Sequence, residues 1–304
     1  MFRCSLLLFL LSLLSVPSFG QQKPKKRFKL PPQLSEASGL YIAGPDSLWW
    51  HNDSGDGPMI YLTDGRGKLL RIDTLSHLQH IDWEDITSDD QGRIYIGDFG
   101  NNANARQNLK IYRYDLEAGT TDSLSFAYED QKQFPPPPEW ANFDMEAFFW
   151  MNDSLHLFSK NRLRRGNYQC KHYVLADDPG EQVARLQDSI YLRKRVITGA
   201  AISPDGKTMA LVGYNFKMCL GFFPSSAASL FVFKNFNGSR FFEGEMERKS
   251  LSCFFATQYE SVDFIDNNQV YVASEKTVII PPRAKRRRVR KADKKESTLT
   301  AIRE

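Results

Sequence analysis

Trp83-Glu84-Asp85-Ile86, followed after a turn by Ile94-Tyr95-Ile96-Gly97-Asp98, is the stretch on which the fold turns. An acidic residue opens one short strand, Asp90-Gln91-Gly92 supplies a turn, and an apolar-aromatic-apolar strand follows. The unit recurs along the chain. Ser35-Glu36-Ala37-Ser38-Gly39-Leu40 is followed by Leu48-Trp49-Trp50-His51-Asn52, and Met145-Glu146-Ala147-Phe148 by Leu155-His156-Leu157-Phe158-Ser159-Lys160. Gly199-Ala200-Ala201-Ile202 with Met209–Gly213 repeats it without the carboxylate, and Tyr259-Glu260-Ser261-Val262 with Val270–Ser274 restores it.

The repeats start at 36, 84, 146, 200 and 260, and each interval holds two further strand-like runs. Four strands in each unit of about 45–50 residues or more is the rhythm of a propeller blade. The chain is therefore expected to be all-β: a single β-propeller of four-stranded antiparallel blades around a central channel. Five recurrences point to five blades, with six the alternative if two units are merged in the wider intervals. The last unit loses strand signal after Lys276-Thr277, so Arg27–Leu30 is expected to supply its outer strand and close the ring.

The ends read differently. Ser5–Val16 is an apolar run after Arg3, and Ser18-Phe19-Gly20 resembles a cleavage site, so residues 1–20 read as a signal peptide of a secreted or periplasmic protein. The run is shorter than the roughly 20 apolar residues of a membrane span. The propeller is expected over 21–282. Residues 283–304 carry ten Lys/Arg against three Asp/Glu and are expected to form a solvated, disordered basic tail. Without them the net charge of +4 becomes −3, so the body does not read as a nucleic-acid surface. Beyond Cys4, the cysteines are Cys170, Cys219 and Cys253, with no CxxC spacing for a zinc cluster.

The first strand of each blade lines the channel, so Glu36, Glu84, Glu146 and Glu260 are expected to converge on the axis. Like charges brought together need a cation, and a hard divalent ion with oxygen ligands, Ca²⁺ first, answers that need. The competing reading is an ion network with Lys160, Arg162 or backbone amides. The second strands end at the same face in a polar rim: Asn52, Asp53, Asp98, Lys160, Ser274 and Glu275, with Arg162 nearby. Asp98 and Lys160 are catalytic candidates there. His51 is a candidate base, its ordinary pKa being about 6.5; packing beside Trp49 and Trp50 is the alternative. Ser54 lacks the strand-to-helix setting of a hydrolase nucleophile.

The motifs Ser38-Gly39-Leu40, Trp83-Glu84-Asp85-Ile86, Met145-Glu146-Ala147 and Tyr259-Glu260-Ser261-Val262 resemble the calcium-activated nucleotidase (apyrase) family. The resemblance implies a five-bladed propeller with an axial Ca²⁺ that hydrolyses nucleoside phosphates, and Glu84, Glu146 and Glu260 fall on the family's acidic ligand positions. The pattern is also similar to secreted phytase-like propellers and to the gluconolactonase group. The expectation is a metal-dependent hydrolase of phosphate esters or anhydrides acting on a small anionic substrate. A lactonase, or a binding propeller with a structural metal, stands as the alternative.

Overall fold

The computed structural model describes residues 24–53, 55–160, 169–192, 194–219, 223–252, 257–277 and 280–290. The signal-peptide stretch, Ser54, Arg162, Cys253 and residues 291–304 lie outside the described residues.

The described strands form four-stranded antiparallel meanders, and the fold is a β-propeller. The first blade is β2 (Ala37–Gly44), β3 (Ser47–Asn52), β4 (Met59–Thr63) and β5 (Leu69–Thr74). The second is β6 (Trp83–Ser88), β7 (Ile94–Asp98), β8 (Leu109–Tyr114) and β9 (Thr121–Tyr128). The third is β10 (Met145–Trp150), β11 (Ser154–Ser159), β12 (Gln169–Ala176) and β13 (Gly180–Tyr191). The fourth is β14 (Val196–Ile202), β15 (Thr208–Cys219), β16 (Phe223–Lys234) and β17 (Glu245–Ser252). The fifth takes β18 (Tyr259–Asp266), β19 (Gln269–Ser274), β20 (Arg283–Arg288) and, from the other end of the chain, β1 (Arg27–Lys29).

The ring closes through the first strands, which touch in the cyclic order β2, β6, β10, β14, β18 and back to β2. Burial follows distance from the axis. Five residues of β3 are buried in succession because neighbouring blades cover both faces, whereas β5 is mostly exposed. The core is divided among the blade interfaces. Trp49, Ile60, Trp83 and Ile96 pack between the first two blades, and Ile197, Met209, Phe149 and Phe158 pack between the third and fourth. A parallel pairing of β9 with β13 joins the outer edges of the second and third blades, covering two otherwise open strands.

The first part of the stretch expected as a disordered basic tail is ordered. Arg283–Arg288 is β20, hydrogen-bonded between β19 and β1, and Arg290 forms a salt bridge with Asp205 at 2.7 Å. A run of arginines can serve as a strand here because its backbone completes a ladder, while Ala284 and Val289 are buried. The outer strand from the N-terminal side is β1, in the expected place, but it pairs with β20.

Candidate functional site at the axial mouth

Each first strand carries a β-bulge near its start. The pair Trp83 and Asp98 is followed by Asp85 and Gly97, which leaves Glu84 as the extra residue. By the same register the extra residues are Ser38, Glu146, Thr198 and Glu260 in the other blades. A bulge re-aims the side chain it inserts, and these five turn towards the axis. The sequence alignment is therefore corrected in two blades. Ser38 stands where Glu36 was expected, and Thr198 rather than Ala200 is the fourth member. Glu36 lies two residues earlier and is exposed. Ser38 donates to the Glu84 carbonyl and Thr198 to the Tyr259 carbonyl at 2.7 Å, so the two short side chains tie adjacent blades.

A second ring lies two residues before the bulges: Glu36, Asp82, Asp144 and Gln258. Their carbonyls accept hydrogen bonds from the amides of Asp53, Gly100, Lys160 and Glu275, at 2.9, 3.2, 2.8 and 3.1 Å. The two rings and these rim residues form one acidic mouth. Carboxylate oxygens of Asp53, Asp82 and Glu84 lie within 4.8 Å of one another. A Cβ on Gly100 would fall 2.1 Å from Glu84 Oε1 and 2.4 Å from Asp82 Oδ2, so only glycine lets both carboxylates fold over the backbone there. Across the mouth, Lys160 Nζ pairs with Glu146 Oε1 at 2.7 Å.

The electrostatics are those of crowded, buried acids. Burial, then Glu146 and Asp53, raises the Glu84 carboxyl well above its ordinary range. Burial and Asp53 raise Asp82 to about 6, and burial with Glu260 raises Glu275 to about 9. Glu146 and Glu260 are raised by burial, with Lys160 opposing. Burial would lower the Lys160 ammonium, but Glu146, Tyr214 and Glu260 hold it well above its ordinary value. Lys160 is therefore a fixed cation among acids.

The other sequence candidates are placed as follows. Asp98 accepts from Arg106 at 3.0 Å and from the Asp82 amide at 3.0 Å, which makes it a support for the second-blade loop. His51 is fully buried, edge-on to Trp83, and burial lowers it to about 4, so it is a neutral wall residue at physiological pH. Asn52 binds Asp56, the Gln33 carbonyl and the Glu36 amide, shaping the loop before Asp53. Ser274 is buried beside the rim and Glu275 joins it.

The sequence reading missed Asp82, Asp144 and Tyr214. The signal for the first two was present as the recurring doublets Asp82-x-Glu84 and Asp144-x-Glu146. Below the mouth, Asp85 crosses the channel. Its carboxylate accepts from Ile86, Phe148 and Ala200 amides at 2.9, 3.2 and 3.4 Å, so one side chain ties three inner strands.

No family model matches the chain, and no curated protein matches it. Among solved structures it is similar to streptogramin B lyase, at 11% identity and a TM-score of 0.40 over 86% of this chain and 96% of that one. It is also similar to an α-L-arabinanase from Penicillium chrysogenum complexed with arabinobiose, at 12% identity and a TM-score of 0.48, covering 83% and 80%. A third is a β-propeller domain from Myceliophteria thermophila, at 10% identity and a TM-score of 0.40, covering 84% and 97%. The four-stranded meanders and the cyclic contacts of the first strands make the chain a β-propeller.

Proposed function

We propose that the axial mouth binds a divalent cation, Ca²⁺ first, and that the protein is a metal-dependent hydrolase of phosphate esters or anhydrides. One observation carries the reading: Asp53, Asp82 and Glu84 bring carboxylate oxygens within 4.8 Å of one another beside Gly100. Three hard oxygen donors at a crowded acidic site suit Ca²⁺, which tolerates irregular geometry and takes further ligands from the backbone or water. A bound divalent cation would supply Lewis-acid chemistry, neutralising charge on substrate oxygens.

The chain's own groups define the rest of the site. Lys160 offers N–H donors fixed in orientation by Glu146 and faces the same mouth as the three carboxylates. The backbone at Gly100 leaves room for the Asp82 and Glu84 oxygens, and Asp144 accepts the Asn101 amide at 2.9 Å, holding the loop over them. The apolar run Ser5–Val16 adds export to the proposal, a setting in which millimolar calcium sites are loaded.

A second reading is a non-catalytic binding propeller with a structural metal. It is favoured by the commitment of Lys160 to Glu146 and of Asp98 to Arg106. Metal analysis of purified protein, with a hydrolysis screen over nucleotides, phytate and lactones in calcium and in chelator, separates the two. Calcium-dependent turnover of a phosphate substrate supports the hydrolase. Bound calcium without turnover supports the binding module, and absence of any bound divalent metal rejects both.

A further inference from the structure

A cavity of about 920 Å³ opens at the opposite end of the channel. All the inner strands reach it: Tyr41 from β2, Ser88 from β6, Trp150 from β10, Ile202 from β14, and Asp263 from β18. Asp85, whose carboxylate is held by amides of three strands, stands along β6 between Glu84 and the cavity-lining Ile86. The cavity's lining includes none of Asp53, Asp82, Glu84 and Lys160.

Five charged residues line it, Asp89, Asp90, Asp205, Lys207 and Asp263, of which Asp90 and Lys207 are exposed at its edge. Asp89 is neutralised by Arg93 at 2.5 Å, and Asp205 by Arg290 at 2.7 Å. Asp263 is different. Its two oxygens accept from the Ile42 amide at 2.6 Å and the Phe264 amide at 2.7 Å, and among the described residues it forms no ion pair. Burial raises its carboxyl to about 7, opposed by those two amides and by no cation. A carboxylate has about four lone-pair sites, so two amides leave acceptor capacity on the cavity side. Tyr41, partly exposed, is near enough to feel the Asp263 charge, and Trp150 and Phe236 line the same cavity. An uncompensated carboxylate within aromatic walls favours a cation that is itself partly apolar, because the carboxylate supplies charge and the ring faces supply cation–π attraction. A hydrated metal ion would gain little, since among the described residues the cavity lining holds no group of three converging carboxylate, His or Cys ligands.

We propose that this chamber is a binding site for a small organic ammonium ion, its cationic head set against Asp263 and its carbon skeleton against Tyr41, Trp150 and Phe236. The site is independent of the metal reading of the other mouth. Choline is a suitable probe, and 3,3-dimethyl-1-butanol is its neutral counterpart of nearly the same shape. Calorimetric titration on the alkaline side of the raised Asp263 carboxyl, with calcium in excess to fill any calcium site at the acidic mouth, reads this chamber. Choline is expected to bind at millimolar concentration, at least about tenfold more tightly than the alcohol, because only the cation meets the carboxylate. Asp263→Asn keeps an acceptor for the Ile42 amide and is expected to lower choline affinity by about tenfold while the protein remains folded by circular dichroism. Tyr41→Ala, which leaves Asp263 intact, is expected to weaken choline as well, and it tests the site should the Asn variant fail to fold. Equal affinity for choline and the alcohol, unchanged choline binding in Asp263→Asn or Tyr41→Ala, or loss of binding on adding calcium would each overturn the proposal, as would no binding at all.

Discussion

Lys160 donates to Glu146 across 2.7 Å at the acidic mouth, so the third blade brings its own counter-ion to the axis. The pair joins the rim, where Lys160 follows β11, to the bulge of β10. Both partners are largely removed from water, and that makes the arrangement costly to break.

Lys160→Met should therefore lower stability sharply. It leaves Glu146 as an uncompensated buried acid, a loss on the order of 3–5 kcal/mol when one partner of a buried pair is removed. Thermal melts in chelator should show the fall, and added calcium should recover more of it in the variant than it adds to the wild type. Calcium shifts of equal size in both proteins would mean that the cation does not reach this cluster.

The carboxylates near Gly100 make the second prediction. Glu84→Gln and Asp82→Asn should each weaken calcium binding by on the order of tenfold or more, measured calorimetrically, because each removes a charged ligand. Gly100→Ala should weaken it too, by pushing those oxygens aside. Glu36→Gln should weaken it less than either, because that side chain is exposed outside the three-carboxylate group. Sensitivity at Glu36 with indifference at Asp82 would restore the alignment drawn from sequence.

That contrast marks where the sequence could be read and where it could not. Strand alternation and the spacing of turns are local, so the propeller and the acid-opened repeat were legible. A bulge is invisible in composition: it shifts the register by one residue, and whether Glu36 or Ser38 faces the axis depends on partners across the sheet. Arg283–Arg288 was misread for a related reason. Charge pattern suggested solvent, but the fifth blade had two unpaired ladders for those backbone groups to complete.

Acidity should govern stability in the metal-free protein. Asp82, Asp263 and Glu275 are raised by burial to about 6, about 7 and about 9. Each binds its proton more tightly folded than unfolded, so its contribution is fully present below the unfolded carboxyl range near pH 4. It is lost as pH rises through those three values. Denaturant melts in chelator should show a midpoint falling steadily from pH 5 to pH 9. Calcium should reverse much of the fall at the alkaline end. A midpoint that rises with pH across this window would contradict the raised carboxyls.

The chain can be shortened only so far. Truncation after Arg290 should leave a folded protein, since β20 and the Arg290–Asp205 bridge remain. Truncation before Arg283 removes the strand between β19 and β1 and should yield little soluble material on expression, with loss of the cooperative melt. Equal yields from both would mean that β20 is dispensable to the ring.

The meeting of β1 with β20 imposes an order on assembly. A nascent chain emerges β1 first, and that strand has no partner until the arginine-rich segment has been made. Every other described strand finds its ladder within its own blade or, at the outer edges of the second and third blades, a neighbour's, so four blades can form while the last waits for β20. Until then the first and fourth blades each present an apolar flank with nothing against it. Sealing the circle thus waits on the synthesis of β20, and the interval before it is when the polypeptide most needs shielding from other copies of itself.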